Sequence, residues 1–173
     1  MDPNVLQTIG HAMSAEFEFD IYVELCRGIN ATSQINLVHS KISSFYPIYF
    51  VWMKVEPSSN PECSWEGYSQ SDNCNFLKEA AQAINTRNSP GVFSTARIWK
   101  QFFGSSCDTF ATDIGALNIW SNYESSAGRV NSPKSFDDYV PFGGWTSPGI
   151  KKLVGSVTIP LLCGHKAWHA LVE

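Results

Sequence analysis

Residues 48–56 read IYFVWMKVE, an apolar run of β-branched and aromatic side chains that ends in a lysine and a glutamate. A nearly continuous apolar run of this length predicts a strand that is buried on both faces, as in a parallel sheet. Because side chains alternate along a strand, Trp52, Lys54 and Glu56 should share one face. Lys54 and Glu56 then lie at the carboxyl end of the strand, which is the end that carries the chemistry in α/β barrels.

The flanking segments predict alternating helices and strands. Helical patterns cover residues 3–16, 31–45, 73–85 and 95–103. Strand patterns cover residues 17–25, 48–56 and 90–94. This order predicts a parallel sheet with right-handed crossovers. Further along the chain, only loops separate strand-like segments at residues 116–123, 149–157 and 163–172. We therefore expect one α/β domain over residues 1–173 with a helix-poor C-terminal third.

The composition argues against several classes of protein. The chain has 173 residues, of which 43% are hydrophobic and 16% charged, and its formal net charge is −4. It holds no run of Lys or Arg, so no nucleic-acid partner is expected. No apolar stretch is long enough to span a membrane, and no Gly-rich phosphate loop indicates a cofactor. The N-terminus lacks the basic start and the apolar core of a signal peptide.

The cysteines indicate an oxidising environment but leave their pairing open. There are five of them, at positions 26, 63, 74, 107 and 163. Cys63 and Cys74 flank a polar loop and could close a short disulfide, worth roughly 3 kcal/mol in loop entropy. The odd count leaves at least one thiol without a partner in this chain. Cys163 is followed by His165 and His169, but that histidine spacing suits a helix and the segment predicts a strand, so no metal site is expected.

Five sequence blocks, in order along nearly the whole chain, carry a family resemblance. They are DIYVELC (20–26), VWMKVEP (51–57), GVFSTARIW (91–99), FDDYVPFGGWTSPGIKKLVG (136–155) and LCG (162–164). Together they resemble the lysozymes of glycoside hydrolase family 25, especially the protist and nematode branch. That family's fold is an irregular barrel with helices after its first five strands and none among its last three. The resemblance therefore implies an incomplete TIM-like (β/α) barrel that lacks the first two strands.

An incomplete barrel should leave a sheet edge uncovered. A closed barrel has no edges, and removing two strands creates two of them. The segment from Phe17 to Leu25 should form one of these edges. We expect another protein chain, a second copy or residues missing from this sequence to cover it. The resemblance implies a secreted or vesicular ancestry, while the compartment itself and the natural start of the chain stay open.

The acids that the resemblance implies are mostly absent. Family enzymes carry an acidic residue on the first strand, an Asp-x-Glu pair on the fourth and an aspartate on the last. Here Lys54 stands at the Asp of the pair, and Glu56 keeps the Glu. The last aspartate should fall near Trp168, and no acid follows until Glu173. Glycoside hydrolysis normally needs two carboxyl groups, one of them protonated, and a neighbouring ammonium favours the ionised form of a carboxyl group.

Glu24 and four aromatic residues are the remaining candidates for a site. Glu24 could pair with Lys54 in a structural charge network that includes Glu56, or it could help Glu56 if Glu56 is catalytic. Tyr22, Trp52, Trp120 and Tyr123 could line a sugar-binding cleft by stacking on pyranose rings, or they could pack in the core.

Three functions follow, and the first is favoured. The chain is expected to be a degenerate lysozyme-like domain, catalytically impaired, that serves as a structural or interaction subunit in a larger assembly. The alternative is an active lysozyme that hydrolyses the β-1,4 glycosidic bonds of peptidoglycan with Glu56 as acid and Glu24 as helper. The second alternative is a glycan-binding module that uses the aromatic residues. The sequence leaves open whether hydrolase activity survives.

Overall fold

The computed structural model describes residues 3–43, 46–120, 135–147 and 149–152, and three short strand segments at 157–158, 166–167 and 170–172. The helices are α1 (Val5–Ser14), α2 (Ala31–Val38), α3 (Gln70–Ile84), α4 (Ala96–Phe103) and α5 (Phe110–Ile114). The strands are β1 (Ile21–Glu24), β2 (Phe50–Lys54), β3 (Ser89–Ser94), β4 (Leu117–Trp120), β5 (Ile150–Lys152), β6 (Val157–Thr158), β7 (Lys166–Ala167) and β8 (Ala170–Val172). A π-helical turn, His39–Ser43, extends α2.

The main sheet has six strands in the order β1-β2-β3-β4-β5-β8. The first five run parallel and keep the order of the chain, while β8 pairs with β5 in the antiparallel sense. The predicted mixed α/β class and parallel sheet are therefore confirmed. Strands β6 and β7 form a separate antiparallel pair. β1 lies at one end of the sheet, and β2 is its one partner among the described strands.

The core lies between the sheet and its helices. On β2 and just after it, Val51, Met53 and Val55 are fully buried on one face, as the alternation predicts. Burying three such side chains contributes about 1.5–3 kcal/mol each. An aromatic group adds to the core around Trp99, whose ring centroid lies 4.4 Å from that of Phe103. Among the described helices, none is long and apolar enough to cross a membrane.

Two features of the helices differ from the sequence prediction. α3 begins three residues earlier than expected, at Gln70, because the Ser69 hydroxyl accepts a hydrogen bond from the Asp72 backbone N–H at 3.0 Å. Serine at such a capping position satisfies one of the first-turn N–H groups. α5 was not predicted, since a helix of five residues is too short to show a hydrophobic period.

The predicted disulfide between Cys63 and Cys74 is wrong. The structure joins Cys26 to Cys63 and Cys74 to Cys107. Cys74 lies on the buried side of α3, where it faces the equally buried Cys107 that follows α4. Cys63 lies in the loop after β2, and its partner Cys26 lies just after β1. The two bridges therefore tie β1 to the β2 loop and α3 to the turn after α4. Cys163 lies outside the described residues.

Asn73 is a buried polar contact point that joins three parts of the fold. Its side chain is 1% exposed. Its amide nitrogen donates to the backbone carbonyls of Trp65 at 3.0 Å and Phe102 at 3.1 Å. Its carbonyl oxygen accepts a hydrogen bond from Nε of Arg27 at 2.8 Å. One side chain on α3 thus connects the β2 loop, the end of α4 and the residues after β1.

Replacing Asn73 by leucine should destabilise the fold by about 2–4 kcal/mol, because two buried carbonyls and a guanidinium lose their partner. Asn75→Leu is the matched control, since Asn75 lies on the same helix and is exposed. Urea unfolding followed by circular dichroism measures both variants. Equal stabilities for the two variants would contradict the assigned role of Asn73.

His39 should make stability depend on pH. It is 3% exposed at the end of α2. Burial lowers the pKa of His39 below its ordinary value of 6.5, and the charge of Arg87 lowers it further, against an opposing hydrogen bond with Asn88. As the pH falls, the unfolded chain therefore takes up this proton before the folded chain does. The resulting contribution to stability is complete above pH 6.5 and declines as the pH falls towards the folded pKa.

The wild type should therefore be less stable at about pH 5 than at about pH 7.5, and His39→Gln should lose less stability over that interval. The exposed His11 supplies the control variant His11→Gln, which should follow the wild type. Urea unfolding at both pH values gives the comparison. An unchanged pH dependence in His39→Gln would show that another group is responsible.

Candidate functional site

Three charged side chains meet at the carboxyl ends of β1 and β2. The parallel register sets Glu24 opposite Lys54. Nζ of Lys54 lies 2.6 Å from Oε1 of Glu24 and 3.1 Å from Oε2 of Glu56. The pairing of Glu24 with Lys54 predicted from the sequence is thus confirmed. We call these three residues the Lys54 cluster.

The Lys54 cluster keeps its ammonium group charged. Partial burial alone would lower the pKa of Lys54, but the hydrogen bonds and charges of Glu24 and Glu56 outweigh it, so the pKa lies above its ordinary value of 10.5. A lysine with a raised pKa is neither a base nor a nucleophile near neutral pH. The cluster is therefore a cation held between two carboxylates.

The carboxylates of the cluster stay in contact with solvent. The side chain of Glu56 is 42% exposed and that of Glu24 is 67% exposed, against 26% for Lys54. Glu56 is thus ion-paired without being sealed from the surface. A ligand could reach it, but the nearest charged neighbour that the ligand would meet is an ammonium group and not a second acid.

The candidate aromatic residues are divided between surface and interior. Tyr22 is 65% exposed, and its ring centroid lies 5.7 Å from Nζ of Lys54. Trp52 is 5% exposed, and its Nε1 donates to Oδ2 of Asp20 at 3.1 Å. Tyr22 remains available for a ligand, whereas Trp52 is packed in the interior. In the sheet, Trp52 on β2 lies opposite Tyr22 on β1, whereas Trp120 on β4 lies opposite Ser94 on β3. The Trp120 side chain and Tyr123 lie outside what the structure describes.

Asp20 and Gly91 hold Trp52 in place. Besides the indole N–H, Asp20 accepts the backbone N–H of Phe50 through Oδ1 at 2.9 Å. Gly91 lies opposite Trp52 on β3, and a Cβ at Gly91 would overlap the indole ring. Each residue begins one of the sequence blocks quoted above, but its contact with Trp52 joins distant positions and could not be predicted from local sequence.

A cavity of about 780 Å³ lies at the amino ends of β1 and β2, and the sequence did not predict it. Its described walls are Met13, Glu16, Phe17, Glu18, Phe19, Asp20, Pro47, Tyr49 and Phe50. None of these belongs to the Lys54 cluster, which lies at the other end of the same strands. The alternation of acidic and aromatic residues in FEFD (17–20) was the available signal, but it does not show what those residues face.

The described residues hold no group of three or more His, Cys, Asp and Glu side chains that could bind a metal ion. Cys163, His165 and His169 lie outside the described residues. Trp168, near which the resemblance places the last-strand aspartate, and Glu173 also lie outside them.

The parallel sheet and its helices define an α/β domain. Its candidate site lies at the carboxyl ends of the strands, where α/β enzymes carry their active sites. A family model described as lysozyme-like protein 1 matches residues 1–153. The chain belongs to this lysozyme-like family. Its predicted resemblance to the lysozymes of glycoside hydrolase family 25 is confirmed by relatives that bear that name.

Three relatives from Dictyostelium discoideum illustrate the similarity. Counting factor 50 is 29% identical over 164 residues, covering 88% of this chain and 48% of its own length. Probable GH family 25 lysozyme 2 is 25% identical over 157 residues, covering 88% of this chain and 66% of its own. Probable GH family 25 lysozyme 4 is 27% identical over 157 residues, covering 88% and 65%. The chain thus spans between about half and two thirds of these relatives, and no solved structure matches it.

Replacing Gly91 by alanine should destabilise the fold by about 1–3 kcal/mol, because the added methyl group overpacks against Trp52. Gly10→Ala is the matched control. A Cβ at Gly10 meets nothing within 4 Å, and alanine in that helix should stabilise the fold by about 0.5–1 kcal/mol. Thermal unfolding measures both, and near-ultraviolet circular dichroism reports whether the packing of the aromatic side chains changes. A neutral Gly91→Ala would contradict the described packing of Trp52.

Proposed function

We propose that the chain is a degenerate lysozyme-like domain, catalytically impaired, that serves as a structural or interaction subunit of a larger assembly. The observation that carries this proposal is the ion-paired ammonium group of Lys54 between Glu24 and Glu56. Glycoside hydrolysis by two carboxyl groups needs one that is protonated and a second that stabilises the transition state or generates the nucleophile. A lysine with a raised pKa supplies neither group.

The second part of the proposal concerns the barrel. We infer that residues 1–173 belong to a single TIM-like barrel domain. The strand order of β1 to β5 follows the chain, as successive βα units of a barrel do. β1 has one partner among the described strands, so its other side is the edge to be covered. We propose that the margin from Phe17 to Leu25 is covered by another protein chain, by a second copy or by residues missing from this sequence.

The names of the relatives are compatible with either an enzyme or a subunit without activity. Two of the three relatives reported above are named as probable lysozymes, while counting factor 50 carries no enzyme name. An active lysozyme is favoured by one observation, the partial exposure of Glu56 and Glu24. A glycan-binding module is favoured by another, the exposed ring of Tyr22 beside the cluster.

An assay of peptidoglycan hydrolysis tests the proposal. We expect the wild-type chain to release no reducing ends from bacterial peptidoglycan above the buffer rate, because Glu56 lacks a second acid. Glu56→Gln should behave identically, and so should Glu66→Gln, an exposed glutamate of the loop after β2. Turnover by the wild type that Glu56→Gln abolishes and Glu66→Gln retains would establish the active lysozyme instead.

A further inference from the structure

Residues 30–32 read Asn-Ala-Thr, which is an acceptor sequence for N-linked glycosylation. It is the one Asn-x-Ser/Thr triplet without a central proline in the 173-residue chain. Asn30 lies between the carboxyl end of β1 and the first residue of α2, and its side chain is exposed. An acceptor asparagine must lie at the surface of the folded domain, because the attached sugar is bulky and hydrated. Asn30 meets that requirement.

The side-chain amide of Asn30 leaves its nitrogen free to carry a sugar. Oδ1 accepts a hydrogen bond from the backbone N–H of Ser33 at 2.9 Å and so caps α2. The glycosidic bond forms at Nδ2, the other atom of the same amide group. Among the described residues, none forms a hydrogen bond with Nδ2 of Asn30. A glycosylated Asn30 therefore keeps its helix cap.

The turn that carries Asn30 is fixed by contacts on both sides. Oε1 of Gln34 accepts the backbone N–H of Cys26 at 2.8 Å, and its Nε2 donates to the carbonyls of Cys26 and Ile29, each at 2.9 Å. The disulfide to Cys63 anchors the same turn to the loop after β2. The folded domain therefore presents Asn30 at its surface in one defined position.

Two exposed apolar side chains lie close to Asn30 in the chain. Ile29, which precedes it, is 53% exposed, and Leu37 on α2 is 50% exposed. Leu37 follows Asn30 by seven residues, a spacing that places both on the same face of the helix. The C–H faces of a sugar ring can cover apolar side chains of this kind and remove them from water. A glycan on Asn30 thus accounts for an apolar surface that the described chain leaves open.

The disulfides indicate a compartment in which this modification takes place. Cys26 is bonded to Cys63, and Cys74 to Cys107. Such bridges form and persist in oxidising compartments and are rare in the cytosol. The lumen of the endoplasmic reticulum, where N-linked transfer occurs in eukaryotes, is one of these compartments. The disulfides and the acceptor triplet therefore point independently to the same lumen.

We propose that Asn30 carries an N-linked glycan, transferred from a lipid-linked diphosphate donor. The bond that forms joins Nδ2 of Asn30 to the anomeric carbon of an N-acetylglucosamine. The bond that breaks joins this carbon to an oxygen of the diphosphate, which leaves with its lipid. Nδ2 loses one proton to a base of the transferase, and nothing is oxidised or reduced.

The inference goes beyond the proposed function and holds for an active or an inactive domain. Asn30 follows the carboxyl end of β1, so the glycan lies at the end of the sheet that carries the Lys54 cluster. A partner chain in the proposed assembly must then leave the turn before α2 uncovered.

Mass spectrometry of the protein isolated from its own cells tests the inference. Trypsin cuts after Arg27 and Lys41 and releases residues 28–41 as one peptide. Peptide-N-glycosidase in heavy-oxygen water should convert Asn30 of this peptide to labelled aspartate. Asn36 lies in the same peptide outside any acceptor triplet, and as the internal control it should stay unlabelled. A peptide that is unmodified before the treatment and unlabelled after it would overturn the inference.

Variants secreted from eukaryotic cells behind a cleavable leader separate the acceptor triplet from the fold. Wild type and Thr32→Ser should run as larger species on a denaturing gel and lose the extra mass on glycosidase treatment. Thr32→Ala should lose this shift completely, and so should Asn30→Asp, which keeps a capping side chain. Ser33→Ala removes the neighbouring exposed hydroxyl and should behave like the wild type. Equal mobility of wild type and Thr32→Ala would contradict glycosylation at Asn30.

Discussion

The parallel register between β1 and β2 is the constraint on which the rest of the structure depends. Val51, Met53 and Val55 are fully buried against the helices, which commits one face of β2 to the core. Lys54 must therefore lie on the other face, where the register sets it opposite Glu24. A slip by one residue would turn Lys54 into the core and the apolar row outward. Burying an ammonium group without a partner would cost far more than the pairing contributes.

The main features of this arrangement can be read from local sequence. A β-branched and aromatic run predicts a buried strand, and alternation along it predicts which residues share the face of Lys54. The contact between Glu24 and Lys54 follows because carboxyl ends of neighbouring parallel strands meet at one edge. What local sequence cannot provide is pairing between distant groups. Cys26 and Cys63 are 37 residues apart, and their bridge depends on where the loop after β2 returns.

The same limit explains why the role of Trp52 was left open. Trp52 shares a strand face with Lys54, which is compatible with a sugar-binding surface. Only the fold shows that Asp20 accepts a hydrogen bond from its indole N–H and that Gly91 leaves room for its ring. The cavity is a similar case. Its walls come from the end of α1, the approach to β1 and the start of β2, which lie about thirty residues apart in the chain.

The two ends of β1 and β2 differ in how their charges are balanced. At the carboxyl ends, where barrel enzymes carry out chemistry, one cation compensates two carboxylates and fixes them by hydrogen bonds. At the amino ends, Glu16, Glu18 and Asp20 line a cavity without a described cation among its walls. Carboxylates that are paired with a cation are held in a fixed geometry. Carboxylates without a paired cation attract groups of positive charge. The two ends of the same pair of strands therefore differ in charge balance, although one register places both of them.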